Sequence, residues 1–335
     1  SGGRTNLIKE RRKMMKNLKW LFWMLAMLFV FTMNATALDY PKGPINYWNP
    51  FNPGGEVDIA ARAMQPYLEK NLGVPLVVNY FPGAGGALCW SKLAAAKPDG
   101  YTVGGYSIPH IILQPMFMKD VAFKTEDFVI ITIVEYTPIG LAVKKDFKVN
   151  SVKEFIEYAK ANPGKVNCGG VGKFSGHHFA TLQFMKLTGT NLNYATFTGT
   201  SQVQTAILGG HIDAAFTNST VLVTSRDQIK VLAVGSPERM SQLSDVPTFK
   251  ELGMEFYPRI ARGVMVPKAV PQEIQARLEK AFLDTTSKPE FKTKMEQAGF
   301  VPQVMGIAQS QKYLDAETKL LNKLIHEYNL LQPTK

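Results

Sequence analysis

The chain has only two cysteines, Cys89 and Cys168, and five histidines in 335 residues. That count fits neither a disulfide-stapled scaffold nor a cysteine-rich zinc protein. Beyond residue 37 no block of Lys and Arg and no basic–aromatic repeat stands out, which argues against a nucleic-acid partner. No stretch after residue 37 offers the roughly 20 apolar residues that a membrane-crossing helix needs. The Gly-x-Gly-x-x-Gly pattern of dinucleotide binding is missing at Gly83-Ala84-Gly85 and at Gly170-Val171-Gly172. His177 and His178 are neighbours and so point to different helix faces, which is no metal signature.

Residues 1–37 are of a different kind. Arg11, Arg12, Lys13, Lys16 and Lys19 form a positive region, and residues 20–31 are an uninterrupted apolar run of twelve. Ala35-Thr36-Ala37 follows with small residues at signal-peptidase spacing. This predicts a cleaved secretory signal peptide, since twelve residues are short for a span of about 20. The formal charge of +11 includes seven basic residues and one acid before Leu38, which leaves +5 for the exported chain. A mildly basic exported protein favours acidic solutes.

What the chain has in quantity is glycine-rich turns, each before a helical pattern. Pro53-Gly54-Gly55 precedes Glu56-Val57-Asp58, and Pro82-Gly83-Ala84-Gly85-Gly86 precedes Ala87-Leu88. Gly172-Lys173-Phe174-Ser175-Gly176 precedes His177-His178, and Thr198-Gly199-Thr200-Ser201 precedes Gln202-Val203. A helix start carries unpartnered N–H groups and partial positive charge, and glycine lets that backbone approach a ligand. Four such starts predict an anion held mainly by main chain.

Apolar runs at 45–48, 76–79 and 101–106 read as strands that alternate with helices at 57–70 and 86–95. Strands at 130–134, 139–143, 166–168, 193–197, 212–216 and 230–234 alternate with helices at 152–159, 176–187 and 201–208. Helices at 271–283, 289–297 and 307–328 close the chain. Alternation predicts α/β architecture with parallel sheet. Two lobes are expected: 38–140 plus 263–335, and 141–262. The four turns would then face one another across a cleft, beyond the carboxyl ends of the strands.

The order of several short pieces resembles one family. Asn49-Pro50-Phe51-Asn52-Pro53-Gly54-Gly55-Glu56-Val57-Asp58, Phe81-Pro82-Gly83-Ala84-Gly85-Gly86 and Lys97-Pro98-Asp99-Gly100-Tyr101-Thr102 come first. Ala161-Asn162-Pro163-Gly164-Lys165, Leu208-Gly209-Gly210-His211-Ile212-Asp213, Asp245-Val246-Pro247-Thr248 and Arg262-Gly263-Val264 follow. The chain resembles the periplasmic solute-binding proteins of tripartite tricarboxylate transporters, the TctC or Bug-type receptors. The resemblance implies a type II-like, two-lobed periplasmic-binding-protein fold closing on a small organic carboxylate. It also implies delivery to integral membrane transporter subunits, no cofactor, no catalysis and a monomer.

Carried over residue by residue, the resemblance assigns ligand contacts to Phe51, Asn52, Gly54 and Gly55 in the first loop and to Ala84, Gly85 and Gly86 in the second. In the other lobe it assigns Ser175 and His178, then Thr198, Gly199 and Thr200. The chain departs from the family at Phe81, where Arg is usual, and at Cys168, Val171, Lys173 and Phe174. The ligand class therefore stays open between a dicarboxylate and an aromatic or branched monocarboxylate, for which Phe81, Phe174 and Phe197 offer apolar walls.

Asp58, in a first helical turn, either stabilises that turn or reads an uncharged or cationic part of the ligand. Arg262 is the candidate for a distal acidic group, with an interlobe salt bridge as the competing role. Ser175 is both a candidate donor and a candidate N-cap. A secreted hydrolase using Ser175 and His178 and a sensory co-receptor are the alternative functions. The hydrolase lacks an evident acidic orienter.

Overall fold

One strand, Phe128–Lys144, runs through both halves of the molecule and organises the rest. The structure is a computed structural model and describes residues 39–330, together with residues 10, 13–17 and 20. Most of the expected signal peptide lies outside the described residues. Among them, no helix is long and apolar enough to cross a membrane.

In the first half, β1 (Ile45–Asn49) pairs in parallel with β2 (Leu76–Tyr80) and β3 (Thr102–Ile108). The long strand, β4, pairs antiparallel over 128–138 with β9 (Arg259–Pro267), which also pairs with β3. At Pro138, which has no N–H to give a ladder, β4 changes partners. From Ile139 onward it pairs antiparallel with β7 (Ala214–Asn218). On its other side lies β8 (Ile229–Val234), also antiparallel. There, β5 (Asn167–Val171) pairs in parallel with β6 (Asn193–Phe197) and β7. The chain is thus an α/β protein of two lobes sharing one continuous strand.

Three expectations need correction. The strands expected at 130–134 and 139–143 are one, because Thr137-Pro138 is too short an interruption to break a strand bonded on both sides. The sheet is mixed rather than parallel, since β4 and β9 enter antiparallel. The helical tail contains β10 (Val301–Met305), antiparallel to β4. Two short helices, His110–Phe117 and Ser219–Thr224, have no sequence expectation behind them.

The helices Gln272–Thr286 and Pro289–Gln297 pack against the helix Glu56–Leu72. Arg277, in the helix Gln272–Thr286, donates to the carbonyl oxygen of Asn71 at 2.9 Å. Asn71 closes the helix Glu56–Leu72, here α1. The second lobe is filled by a cluster of phenylalanines: Phe184 and Phe216 lie 5.1 Å apart, Phe249 and Phe256 4.9 Å. Cys168 sits in that core, and both cysteines are free and buried.

Candidate functional site

All four glycine-rich turns lie at strand ends, and the two lobes bring them together. A Cβ built on Gly172 would stand 3.3 Å from both the N and Cα of Gly85. One on Gly199 would stand 3.9 Å from Phe51 Cβ and 4.0 Å from Asn52 N. Asn52 Nδ2 donates to Thr198 Oγ1 at 3.1 Å, and the rings of Phe117 and Phe174 stack at 5.7 Å. First-lobe and second-lobe loops are therefore in direct contact.

Each loop is built by its own residues. Gly54 has φ +80° and donates its N–H to Asp58 Oδ2 at 2.9 Å. Asp58 also accepts from Tyr80 at 2.7 Å and faces Arg62 at 3.5 Å. Its carboxylate is thus occupied in shaping the first loop. Gly55 precedes the first residue of α1 in an extended conformation. In the second loop Ala84, Gly85 and Gly86 all have positive φ, at 47°, 63° and 101°. Gln114 holds that turn by donating to the carbonyl oxygens of Gly85 at 3.0 Å and Ala84 at 3.3 Å.

The third loop contains Phe174 at φ +60°, a conformation that costs a bulky residue energy and recurs at functional loops. Ser175 caps the following helix, Gly176–Thr188, by accepting from the N–H of His178 at 3.2 Å. Its hydroxyl proton goes to the carbonyl of Val171 at 2.7 Å. The side-chain donation to a ligand expected of Ser175 is thus already spent inside the protein. His178 Nδ1 accepts from Phe174 N at 3.2 Å, and burial, with Lys173 adding to it, pushes the imidazole down to about 4. Ser175 Oγ and His178 Nδ1 have other partners, so the nucleophile–base hydrogen bond of acyl chemistry is not made.

The apolar walls are distributed unevenly. Phe174 is buried at the lobe contact. Phe81 instead packs on Trp48 at 4.9 Å, under Lys92. Phe51 sets its edge against Trp90 and His110 inside the first lobe.

Behind the loops lies a layer that sequence reasoning largely missed. Arg262 faces Glu135 Oε1 at 3.4 Å and Glu56 Oε2 at 3.9 Å, and donates to Thr137 Oγ1. Glu56 Oε1 accepts from Thr220 of the other lobe at 2.7 Å. Asn218 Oδ1 lies 3.2 Å from His177 Nε2 and from Thr137 Oγ1, and Asn218 Nδ2 donates to Thr200 Oγ1 at 3.3 Å. Arg262 is thus already bridged by two glutamates. Burial pushes Glu135 up to about 7 against the pull of Arg262. Burial likewise opposes ionisation of Glu56, but Arg262 and Thr220 outweigh it and lower its pKa. Sequence signals did exist. Glu56 directly follows Gly54-Gly55, and Glu135 is a lone acid in an otherwise apolar run.

Two lobes with loops meeting across their junction are an arrangement that the chain shares with solved periplasmic binding proteins. The family described as tripartite tricarboxylate transporter family receptor matches residues 60–330, and the chain belongs to it. The UPF0065 protein in the gbd 5' region of Cupriavidus necator is 29 % identical over 295 residues, covering 88 % of this chain and 89 % of that one. The structure of periplasmic binding protein BugD is 26 % identical with a TM-score of 0.82, covering 87 % of this chain and 99 % of that one. MatC from Rhodopseudomonas palustris with bound malate shares the fold at 22 % identity and a TM-score of 0.81, covering 85 % and 100 %.

Proposed function

We propose that this chain is an exported receptor that closes its two lobes on a small organic carboxylate and delivers it to the integral subunits of a tripartite tricarboxylate-type transporter. The observation that carries this reading is the meeting of the loops at Gly85 and Gly172, where neither residue has a side chain to keep backbone from a ligand. Helix starts in both lobes supply N–H donors and positive potential suited to an anion. Malate in the related fold of MatC supports the chemical class.

The lobes are 38–140 with 263–335, and 141–262, hinged where β4 exchanges partners at Pro138. The ligand-contacting set is the loop residues with Ser175, His178 and Arg262 acting mainly by shaping them. The protein works in the periplasm as a monomer after removal of its signal peptide.

Mass spectrometry of ligand released from purified protein, followed by calorimetry with a carboxylate panel, tests the reading. Saturable one-to-one binding of a carboxylate is expected. Failure of every carboxylate, alongside tight binding of a sugar or a cationic peptide, overturns it.

A further inference from the structure

The third loop is braced from several sides within its own lobe. The carbonyl oxygen of Val171 accepts two side-chain hydroxyls, from Ser175 at 2.7 Å and from Tyr194 at 2.6 Å. His178 Nδ1 accepts from the N–H of Phe174 at 3.2 Å. The imidazole lies between two rings, 4.8 Å from Tyr194 and 6.0 Å edge-on to Phe174. Burial holds its pKa down at about 4, so at neutral pH it is uncharged and Nδ1 keeps the lone pair that this bond needs. These partners all belong to the second lobe. They fix Phe174 at φ +60°, a conformation that persists only where its surroundings enforce it.

The ring so fixed finds its partner in the first lobe. Phe117 ends the helix His110–Phe117 and stacks on Phe174 at 5.7 Å, with the ring planes 16° apart. Phe174 is 5 % exposed. Gln114 stands three residues before Phe117 and is thus its neighbour on the helix surface. It is the residue that holds the Gly85 turn. A Cβ on Gly85 would stand 3.0 Å from Gln114 Nε2, 3.8 Å from Gly172 Cα and 4.0 Å from the carbonyl oxygen of Lys173. The aromatic stack and the glycine contact therefore lie side by side, each joining the same two loops.

We propose that Phe117 and Phe174 are positioning residues that clasp the lobes over the solute and set how slowly it leaves, with His178 holding Phe174 rather than touching the solute. The inference rests on the receptor reading above. The rings come from different lobes, so parting the lobes breaks the stack. Forming it costs little ordering, because Phe174 is held beforehand by its own lobe. A contact made only when the lobes meet slows their opening and leaves the first encounter with solute unchanged. It therefore acts on dissociation. A stacked aromatic pair is worth about two- to tenfold in such a balance.

The test is rapid-mixing kinetics with malate, succinate, adipate, benzoate and any acid released from the purified protein, using whichever binds most tightly. Phe117→Leu keeps apolar bulk and removes the stack. Solute should leave it about two- to tenfold faster, with the association rate unchanged. Phe117→Tyr keeps the stack and should release solute at the wild-type rate. His178→Asn, whose amide oxygen takes the place of Nδ1, should behave as wild type, and His178→Leu as Phe117→Leu. Native dissociation from Phe117→Leu, or equal acceleration in Phe117→Tyr, overturns the clasp and leaves the receptor reading intact. Native dissociation from His178→Leu overturns the role given to His178. Binding of none of these acids overturns both the clasp and the receptor reading. The two Phe117 variants decide the question even where a His178 variant fails to fold.

Discussion

Gly85 and Gly172 come from opposite lobes, yet a Cβ on Gly172 would lie 3.3 Å from two backbone atoms of Gly85. That distance is tighter than ordinary side-chain packing, and neither backbone yields as a flexible side chain would. The meeting of these two loops thus depends on the absence of a side chain at this point. Gly85 has a second constraint, since its φ of +63° is one that few L-residues adopt.

Gly172→Val separates closure from folding. The three heavy atoms nearest its added Cβ belong to Ala84 and Gly85 of the other lobe. Ligand affinity should fall about a hundredfold, or about 2.7 kcal/mol, with the thermal midpoint nearly unchanged. Small-angle scattering should show no contraction with ligand. A folded variant with native affinity would contradict the loop-contact account.

Ser175→Ala should act on stability more than on binding. It removes a cap and a buried hydroxyl that donates to Val171. A loss of about 1–2 kcal/mol in urea unfolding is expected. A large affinity loss at unchanged stability would restore Ser175 as a direct ligand donor.

Arg262→Met leaves Glu56 and Glu135 buried without their shared cation. Breaking such a cluster from one side costs about 3–5 kcal/mol. Adding Glu135→Leu should recover part of that, because an uncompensated charge is removed. A double-mutant cycle in chemical denaturation measures the coupling, and strict additivity would show that the two residues act separately.

Acid should destabilise the protein well above the usual carboxylate range. Burial holds His177 and His178 down at about 4, and His110 is lowered in the same way. Unfolded, each binds a proton below its ordinary 6.5, so the unfolded state holds more protons between about 4 and 6.5 and stability falls as pH falls. Each histidine contributes at most about 1.4 kcal/mol per pH unit. Glu135, raised to about 7, acts oppositely by losing its contribution as pH rises, but one carboxyl is set against three imidazoles. Urea titrations from pH 7 to 4 should show the decline, with a shallower slope in His178→Gln. A flat profile would mean that these imidazoles are solvated.

Cys89 and Cys168 should resist thiol reagents in the native state. Both are buried, and burial pushes each thiol up to about 12. Ellman's reagent should count two thiols after denaturation and nearly none before. A count of zero after non-reducing denaturation would show that they pair.

The sequence by itself determined the alternating α/β order, the four glycine-rich turns at strand ends and the family, because turn chemistry and hydrophobic period are local and the motif order is linear. It also placed the cap at Ser175, since a Ser before a helix needs only its own next turn. Tertiary structure alone decided that β4 is one strand serving two lobes, because pairing on both sides overrides a local Thr-Pro interruption. It alone decided that Arg262 is spent on Glu56 and Glu135, three residues far apart in sequence. Whether a buried charge faces a ligand or a partner depends on which side chains fold against it, and no periodicity along the chain encodes that.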